Sequence, residues 1–228
     1  MFEQSYGRFN YYVASDECGR GPLAGPVLAC SVGVKDIFLE EYVGKLIELG
    51  ITDSKKLTEK KILKIIQILE IPKKLPVSFT NKKVIKSKKF EKLDIAVYAN
   101  SNHYIDKNNI LVASLDAMKN SFKAVERKKY INSNVLWLVD GQFTPELTNY
   151  SYVRKEAVVK GDSRSILIGL ASVVAKYYRD LWMQKLDCEY PGYGLAKHKG
   201  YPTAEHRRAI KQLGPSEIHR KTFRGVKS

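Results

Sequence analysis

Several features that would each define a class of protein are missing from this chain of 228 residues. No apolar run is long enough to span a bilayer, and Met1 to Asn10 contain no apolar stretch of the kind found in signal peptides. We therefore expect a cytoplasmic protein without a membrane partner. Cysteine is scarce, and Cys18, Cys30 and Cys188 include no Cys-x-x-Cys pair. This argues against a disulfide framework and a zinc ribbon, and it predicts free thiols.

Motifs of several enzyme classes are also missing. There is no Walker motif, which argues against an NTPase, and no Gly-x-Ser-x-Gly nucleophile elbow. The one glycine-rich stretch lacks the spacing of a dinucleotide-binding loop. No His-x-x-x-His spacing typical of a zinc site occurs among His103, His198, His206 and His219.

The composition is that of a folded protein with an excess of positive charge. Apolar residues make up 44% of the chain, and 39 basic residues against 24 acidic residues give a net charge of +15. A core built from this share of apolar residues is sufficient for one ordinary domain. The net positive charge attracts polyanions. Charge alone leaves two explanations open, nucleic-acid binding and a lysine-rich composition that reflects the base content of a genome.

The pattern of apolar residues predicts an α/β fold. Five runs predict strands at 11–14, 27–34, 93–99, 135–139 and 152–159. Periodic stretches predict helices at 58–70, 109–126, 165–188 and 203–213. The order of these elements indicates a mixed five-stranded sheet flanked by helices.

A lysine-rich segment at 71–93 shows little helical periodicity and predicts either a long loop or an edge hairpin. Whether it is a solvated surface or a nucleic-acid contact stays open at this point. Its lysines are Lys73, Lys74, Lys82, Lys83, Lys86, Lys88, Lys89 and Lys92.

Acidic residues follow three of the predicted strands directly. Asp16 and Glu17 follow the first, Asp140 follows the most apolar one, and Asp162 lies between the fifth strand and the longest helix. Each acid alone also fits a turn or a helix cap. Together, at strand ends of an α/β sheet, they predict a site for Mg²⁺ or Mn²⁺ and phosphoryl-transfer chemistry, with two ions in the active complex.

Seven blocks of sequence in the same order resemble the ribonuclease HII family over about Tyr12 to Phe223. They are ASDECGRGPLAGPV at 14–27, DSKKL at 53–57, VDG at 139–141, KGDS at 160–163, ASVVAK with RD at 171–180, YPGYGLAKHKGY at 190–201 and GPSEIHR at 214–220. The resemblance implies a ribonuclease H-like fold, which we divide into a catalytic domain at 1–190 and a small C-terminal helical extension at 191–228 that contributes to substrate binding. Cys18 departs from the usual alanine, and the segment at 71–93 looks longer than the family's usual connection.

The resemblance also implies roles for individual residues. Asp16, Glu17, Asp140 and Asp162 would be the catalytic metal ligands. The loop Gly19-Arg20-Gly21 would read the ribonucleotide, and Tyr201 would pack at the RNA–DNA junction. We add five lysines as contacts to the substrate because they flank these motifs in the sequence: Lys55, Lys56, Lys160, Lys197 and Lys199.

The implied activity is that of a monomeric endonuclease that hydrolyses the RNA strand of RNA/DNA hybrids. It also cuts 5′ of ribonucleotides in duplex DNA, which places it in ribonucleotide removal. A ribonuclease HIII is disfavoured because its first signature lacks the Gly-Arg-Gly found here and because it carries an additional N-terminal domain. The second alternative is an inactive ribonuclease H-like scaffold that binds nucleic acid, which the presence of all four acids disfavours.

Overall fold

The computed structural model describes residues 1–73, 90–126 and 133–226, together with the backbone of Lys83–Lys86. In chain order its strands and α-helices are β1 (Tyr11–Cys18), β2 (Val27–Lys35), α1 (Asp36–Glu48), α2 (Glu59–Ile68), β3 (Lys83–Lys86), β4 (Asp94–Asn100), α3 (Asn102–Asn108), α4 (Ile110–Glu126), β5 (Val135–Asp140), β6 (Val153–Val158), α5 (Ile166–Glu189), α6 (Leu195–His198) and α7 (Ala204–Leu213). Among the described residues, no helix combines the length and the apolar character required to cross a bilayer.

The strands form one mixed sheet in the order β3-β4-β2-β1-β5-β6. β1 pairs antiparallel with β2 and parallel with β5, and β6 continues the parallel side. The predicted α/β fold and all five predicted strands are confirmed. The sheet has one strand more than predicted, because part of the lysine-rich segment pairs antiparallel with β4 as the edge strand β3. Residues 74–82 and 87–89 of that segment lie outside the described residues.

The sheet is covered on both faces, and each face has its own core. α5 packs against one face of β1 and β2, while α4 packs against the other. β5 is fully buried from Val135 to Val139, as expected for a parallel strand between two layers of helices. On the α4 side Trp137 stacks on Phe122 and donates a hydrogen bond to Ser15 Oγ at 2.7 Å. This packing holds β1 and β5 together on the α4 face, close to the ends of both strands.

Three predicted helix starts are confirmed by their caps. The side-chain oxygens of Thr58, Ser165 and Thr203 each accept a hydrogen bond from a backbone N–H in the first turn of α2, α5 and α7. Helices α1, α3 and α6 are missing from the predicted order of elements, which was wrong at these points. α1 is the longest of the three. Its N-cap is Lys35, which makes no side-chain cap, so the sequence carries no start signal there.

The residues after 190 are joined closely to the rest of the chain. Leu195, Ile210 and Ile218 share a core with Leu23 and Met183. The division at residue 190 stays a prediction, and the shared core means that this segment reaches the loop after β1.

A row of buried histidines organises this C-terminal segment. His206 Nδ1 lies 3.0 Å from the carbonyl oxygen of Tyr201 and must therefore carry a hydrogen. In the neutral ring its Nε2 is then an acceptor, so His219 Nε2, at 3.1 Å, is the donor. His219 Nδ1 in turn accepts from the N–H of Ser216 at 3.0 Å. The row therefore requires both rings to be neutral.

Burial lowers the pKa of His219 to about 4, and it also lowers the pKa of His206 from 6.5. A base whose pKa is lowered by folding stabilises the fold above its unfolded pKa and loses that contribution as pH falls through its folded pKa. We expect the free energy of unfolding to lose this contribution between pH 6.5 and about 4. Urea unfolding at a series of pH values should show a flatter pH dependence for His219→Gln than for the wild type.

His103→Gln provides the control, because His103 is exposed on α3. This variant should keep the wild-type dependence. An unchanged pH dependence in His219→Gln would contradict the neutral histidine row.

Candidate active site

Three aspartate carboxylates meet at the end of the central strands. β1 and β5 are parallel neighbours, and Ser15 pairs with Val139, so Asp16 and Asp140 leave the sheet side by side. Asp162 joins them from a 3₁₀ turn, Gly161–Ser163, between β6 and α5. One carboxylate oxygen from each of the three aspartates lies within 4.8 Å of the others. The sequence therefore predicted correctly that these strand ends converge.

The turn that carries Asp162 is fitted closely to Asp140. The N–H of Gly161 donates to Asp140 Oδ1 at 2.7 Å. A Cβ atom at Gly161 would lie 2.6 Å from Ile168 Cδ1 and 3.1 Å from Asp140 Oδ1, so a side chain would push the turn away. Glycine at this position thus sets the distance between the two carboxylates.

Asp16 is held by hydrogen bonds from its surroundings. Its Oδ1 accepts from the N–H of Glu17 at 2.7 Å, and its carboxylate also accepts from the Ser172 side chain. Ser172 Oγ lies 2.8 Å from Ser54 Oγ. The two serines connect Asp16 to α5 and to the loop before α2, so its orientation is fixed from two sides.

The acids repel one another in a site with little solvent. Burial raises the pKa of Asp16 well above its usual value, and the charges of Glu17 and Asp140 raise it further. Burial and the charge of Asp140 also raise the pKa of Asp162. Carboxylates arranged in this way gain most from a cation between them. The donor set consists of hard oxygen atoms, so the residues fit a divalent ion such as Mg²⁺ or Mn²⁺.

Glu17 stands beside the three aspartates rather than among them. Its Oε1 lies 3.6 Å from Arg20 Nη1, and it lines the same cavity as Asp140. Burial is the main cause of its raised pKa, while the charge of Arg20 opposes the rise. Glu17 thus lines the same cavity without being one of the three acids whose carboxylate oxygens converge.

A cavity of about 460 Å³ opens beside the acids. Gly19, Arg20 and Gly21 form part of its wall, and Tyr201, 42% exposed, forms another part. A Cβ atom at Gly21 would lie 3.6 Å from Cε1 of the Tyr201 ring. The fold therefore brings the glycine loop and the tyrosine into contact, although they come from opposite ends of the chain.

The predicted lysines differ in their relation to the acids. Lys55 Nζ lies 3.8 Å from Asp162 Oδ2, on a side chain that is 82% exposed. Lys197 pairs with Glu205 at 2.7 Å, which offsets its charge, and Lys199 donates to the carbonyl oxygen of Ala196. Lys56 and Lys160 are exposed. Within the described ranges, Lys55 alone of the five forms an ion pair with one of the acids.

Five further residues line the cavity and belong to the family-like motifs, although no pattern in the sequence assigned them a function. They are Ser54, Ser172, Lys176, Arg179 and Asp180. Four of them lie on α5, and their spacings of four and three residues place them on one face of that helix. A polar stripe along an otherwise apolar helix was the signal that could have found them.

Cys18 also lines the cavity, and burial raises the pKa of its thiol. The raised pKa favours the protonated thiol over the reactive thiolate. The predicted free thiols are confirmed, since Cys18, Cys30 and Cys188 are all free.

Similarity to solved structures supports the fold. The ribonuclease H2 of Pyrococcus horikoshii OT3 superposes with a TM-score of 0.57 at 22% identity, covering 95% of each chain. The ribonuclease HII of Archaeoglobus fulgidus, solved in a complex with PCNA, gives 0.64 at 18% identity and covers 93% of this chain and 95% of that one. Bst-RNase HIII in complex with Mn²⁺ gives 0.63 at 17% identity, covering 95% of this chain and 68% of that one.

Similarity in sequence identifies the family. The ribonuclease HII of Chlamydia trachomatis serovar A is 39% identical over 228 residues, which cover 99% of this chain and 86% of the relative. That of Francisella tularensis is 41% identical over 211 residues, covering 92% and 94%. The family model for ribonuclease HII matches residues 13–226. The chain therefore belongs to the ribonuclease HII family, a family of endoribonucleases.

Proposed function

We propose that this protein hydrolyses the RNA strand of RNA/DNA hybrids and cuts on the 5′ side of ribonucleotides embedded in duplex DNA. The products carry a 3′-hydroxyl and a 5′-phosphate, and the activity serves to remove ribonucleotides from DNA. The observation that carries the proposal is the group of three aspartates, within 4.8 Å of one another, beside a cavity walled by the glycine loop and Tyr201.

The cation would be held by Asp16, Asp140 and Asp162, with Glu17 at the edge of the site. We infer two divalent ions, Mg²⁺ or Mn²⁺, because the mutual repulsion of four acids calls for more than one positive charge. Such ions, when bound, lower the pKa of water and offset the charge that develops on a phosphodiester. Water rather than the 2′-hydroxyl is then the attacking group, so the products lack a cyclic phosphate.

The protein's own residues orient the substrate. The main chain of Gly19, Arg20 and Gly21 can approach a ribose closely and form hydrogen bonds with its 2′-hydroxyl. This loop follows Asp16 and Glu17 directly, so the sugar that it reads lies beside the acids. The ring of Tyr201 packs on the next sugar, where it tolerates deoxyribose.

The segment 191–228, which supplies Tyr201, therefore acts as an extension that contributes to substrate binding. Its described part, up to residue 226, shares a core with Leu23 and Ala24, which follow the glycine loop in the chain. We expect the protein to act as a monomer.

The alternative function is binding of nucleic acid by a scaffold that has lost its activity. The four acids disfavour it, because buried carboxylates that raise one another's pKa are costly to keep without a cation. Incubation of a labelled duplex containing one ribonucleotide, with and without Mg²⁺, separates the two. Metal-dependent cutting supports the nuclease, whereas retained binding without cutting supports the scaffold.

We expect Asp140→Asn to lower the cleavage rate by at least about 100-fold, because it removes charge that binds the cation and stabilises the transition state. The metal-free variant should be at least as stable as the wild type, since a like charge beside Asp16 and Asp162 is removed. Thermal unfolding should show a smaller stabilisation by Mn²⁺ in the variant.

Glu146→Gln is the matched control, because Glu146 also follows β5 but has a side chain that is 95% exposed. It should cut at the wild-type rate. Turnover of Asp140→Asn near the wild-type rate in saturating Mg²⁺ would remove Asp140 from the site.

Binding to duplex should weaken steeply with salt, because contacts to phosphates release counterions. Lys55→Ala should reduce the slope of log Kd against log salt by about 1. The other candidate contacts, Lys56, Lys160, Lys197 and Lys199, are replaced in the same way. The predicted binding surface is wrong if replacing the lysines of segment 71–93 abolishes affinity for the duplex while replacing these five lysines has no effect.

Tyr201→Ala should impair cutting at a single ribonucleotide in DNA more than cutting within an all-RNA strand of a hybrid. The reason is that a lone ribonucleotide always has a deoxyribose next to it, where the ring packs. Tyr201→Phe keeps the ring and should retain most of the activity on both substrates.

Mapping of the cut ends tests the chemistry, and a 2′,3′-cyclic phosphate would contradict hydrolysis by water.

A further inference from the structure

Two arginines are fully buried beneath the glycine loop. Arg179 on α5 and Arg220 after α7 both have no exposed surface. In the described part of the chain, neither forms an ion pair with a carboxylate. A buried charge without a counter-ion is costly unless its hydrogen-bonding groups are satisfied. The hydrogen bonds of the two side chains must therefore compensate for their burial.

Carbonyl oxygens of the loop at 19–26 take the place of a counter-ion. Arg220 donates to the carbonyl oxygens of Gly19 at 2.7 Å, Arg20 at 2.9 Å, Gly25 at 3.0 Å and Pro26 at 3.1 Å. Its planar fork of donors suits this arrangement, which the single ammonium of lysine could not reproduce. One side chain near the C-terminal end of the chain thus gathers both ends of the loop.

Arg179 supports the same loop from α5. It donates to the carbonyl oxygen of Pro26 at 3.2 Å and to that of Lys199 at 3.0 Å. A Cβ atom at Gly19 would lie 2.1 Å from Arg179 Nε, so the glycine lets the loop settle on the guanidinium. We call Arg179 and Arg220 the guanidinium pair.

The bonds from Arg220 set the direction of the loop's N–H groups. In a trans peptide the carbonyl and the following N–H point to opposite sides, and the described chain contains no cis peptide bond. The carbonyls of Gly19 and Arg20 face the buried Arg220. The N–H groups of Arg20 and Gly21 must therefore face away from it. Arg20 and Gly21 both line the cavity, whereas Arg220 is not among its lining residues.

The charge of the guanidinium pair persists under working conditions. Burial lowers the pKa of Arg220 to about 9, and the neighbouring charge of Arg179 contributes to the decrease. Arg220 is thus still protonated at neutral pH. Two positive charges lie beneath a loop whose N–H groups face outward, which favours an electron-rich oxygen of the substrate at this place.

We propose that Arg220 is a positioning residue for recognition of the ribose, because it turns the N–H groups of Arg20 and Gly21 toward the sugar that they read. This inference rests on the proposed function, in which the loop reads a 2′-hydroxyl. Arg220 then affects the selection of ribose over deoxyribose, and it affects neither the binding of metal nor the binding of the duplex in general.

The test measures how strongly the protein prefers ribose. In an Asp140→Asn background with Mg²⁺, fluorescence anisotropy gives the Kd for a duplex with one ribonucleotide and for the same duplex made of DNA alone. The ratio of the two constants is the ribose preference. Arg220→Lys should lower this ratio about tenfold, with little change in the Kd for DNA. A tenfold decrease is expected when the two hydrogen bonds from the N–H groups of Arg20 and Gly21 to the sugar are lost.

Chemical rescue of Arg220→Ala supplies a second measurement of the ribose preference. Added methylguanidinium should fill the vacated space and restore the ribose preference, whereas the same concentration of sodium chloride should not. If Arg220→Ala fails to fold, as judged by circular dichroism, Arg220→Lys decides, because it keeps the buried charge and most of the volume. Arg208→Lys, exposed on α7, is the matched control and should keep the parent ratio.

The outcomes separate this inference from the proposed function. A parent protein that shows no ribose preference would overturn the proposed reading of the ribose by the loop. If the parent prefers ribose and folded Arg220→Lys keeps the same ratio, Arg220 has no positioning role. An equal weakening of both constants would also overturn the proposal, since it would mean that Arg220 supports binding of the duplex in general.

Discussion

Repulsion among carboxylates at the ends of β1 and β5 is the constraint on which this structure depends. The sheet holds Asp16 and Asp140 side by side, and the turn at Gly161 brings in Asp162. Burial then raises the free energy of the charged forms of Asp16 and Asp162, which favours protons or cations at this place. The doubly covered sheet provides the packing that tolerates this cost, and a divalent cation between the carboxylates would relieve the same repulsion.

The C-terminal segment completes the site from outside the sheet. It supplies Tyr201 to the cavity wall, Arg220 to the underside of the glycine loop, and the histidine row that holds the carbonyl of Tyr201. These interactions join the two ends of the chain. In the proposed function the acids supply the reaction and this segment supplies the choice of substrate, so the two properties should respond to different substitutions.

Much of the fold could be read from local patterns, because strand alternation, apolar runs and helix caps are properties of neighbouring residues. Thr58, Ser165 and Thr203 begin helices where the sequence predicted them. α1, whose N-cap Lys35 makes no side-chain cap, was missed, and so was the short α3, although Ser101 caps it. The edge strand β3 was left open as a loop or a hairpin because its pairing with β4 is a tertiary contact.

The sequence by itself determined the family and the α/β class, and it predicted the four acids, since each is written in contiguous motifs or in strand ends. Only the tertiary structure decided which residues meet. It placed Lys55 next to Asp162, paired Lys197 with Glu205, and buried Arg220 beneath the glycine loop. The physical reason is that hydrogen bonds and ion pairs act over a few ångströms, and nothing in the order of the residues states which distant side chains folding will bring within that range.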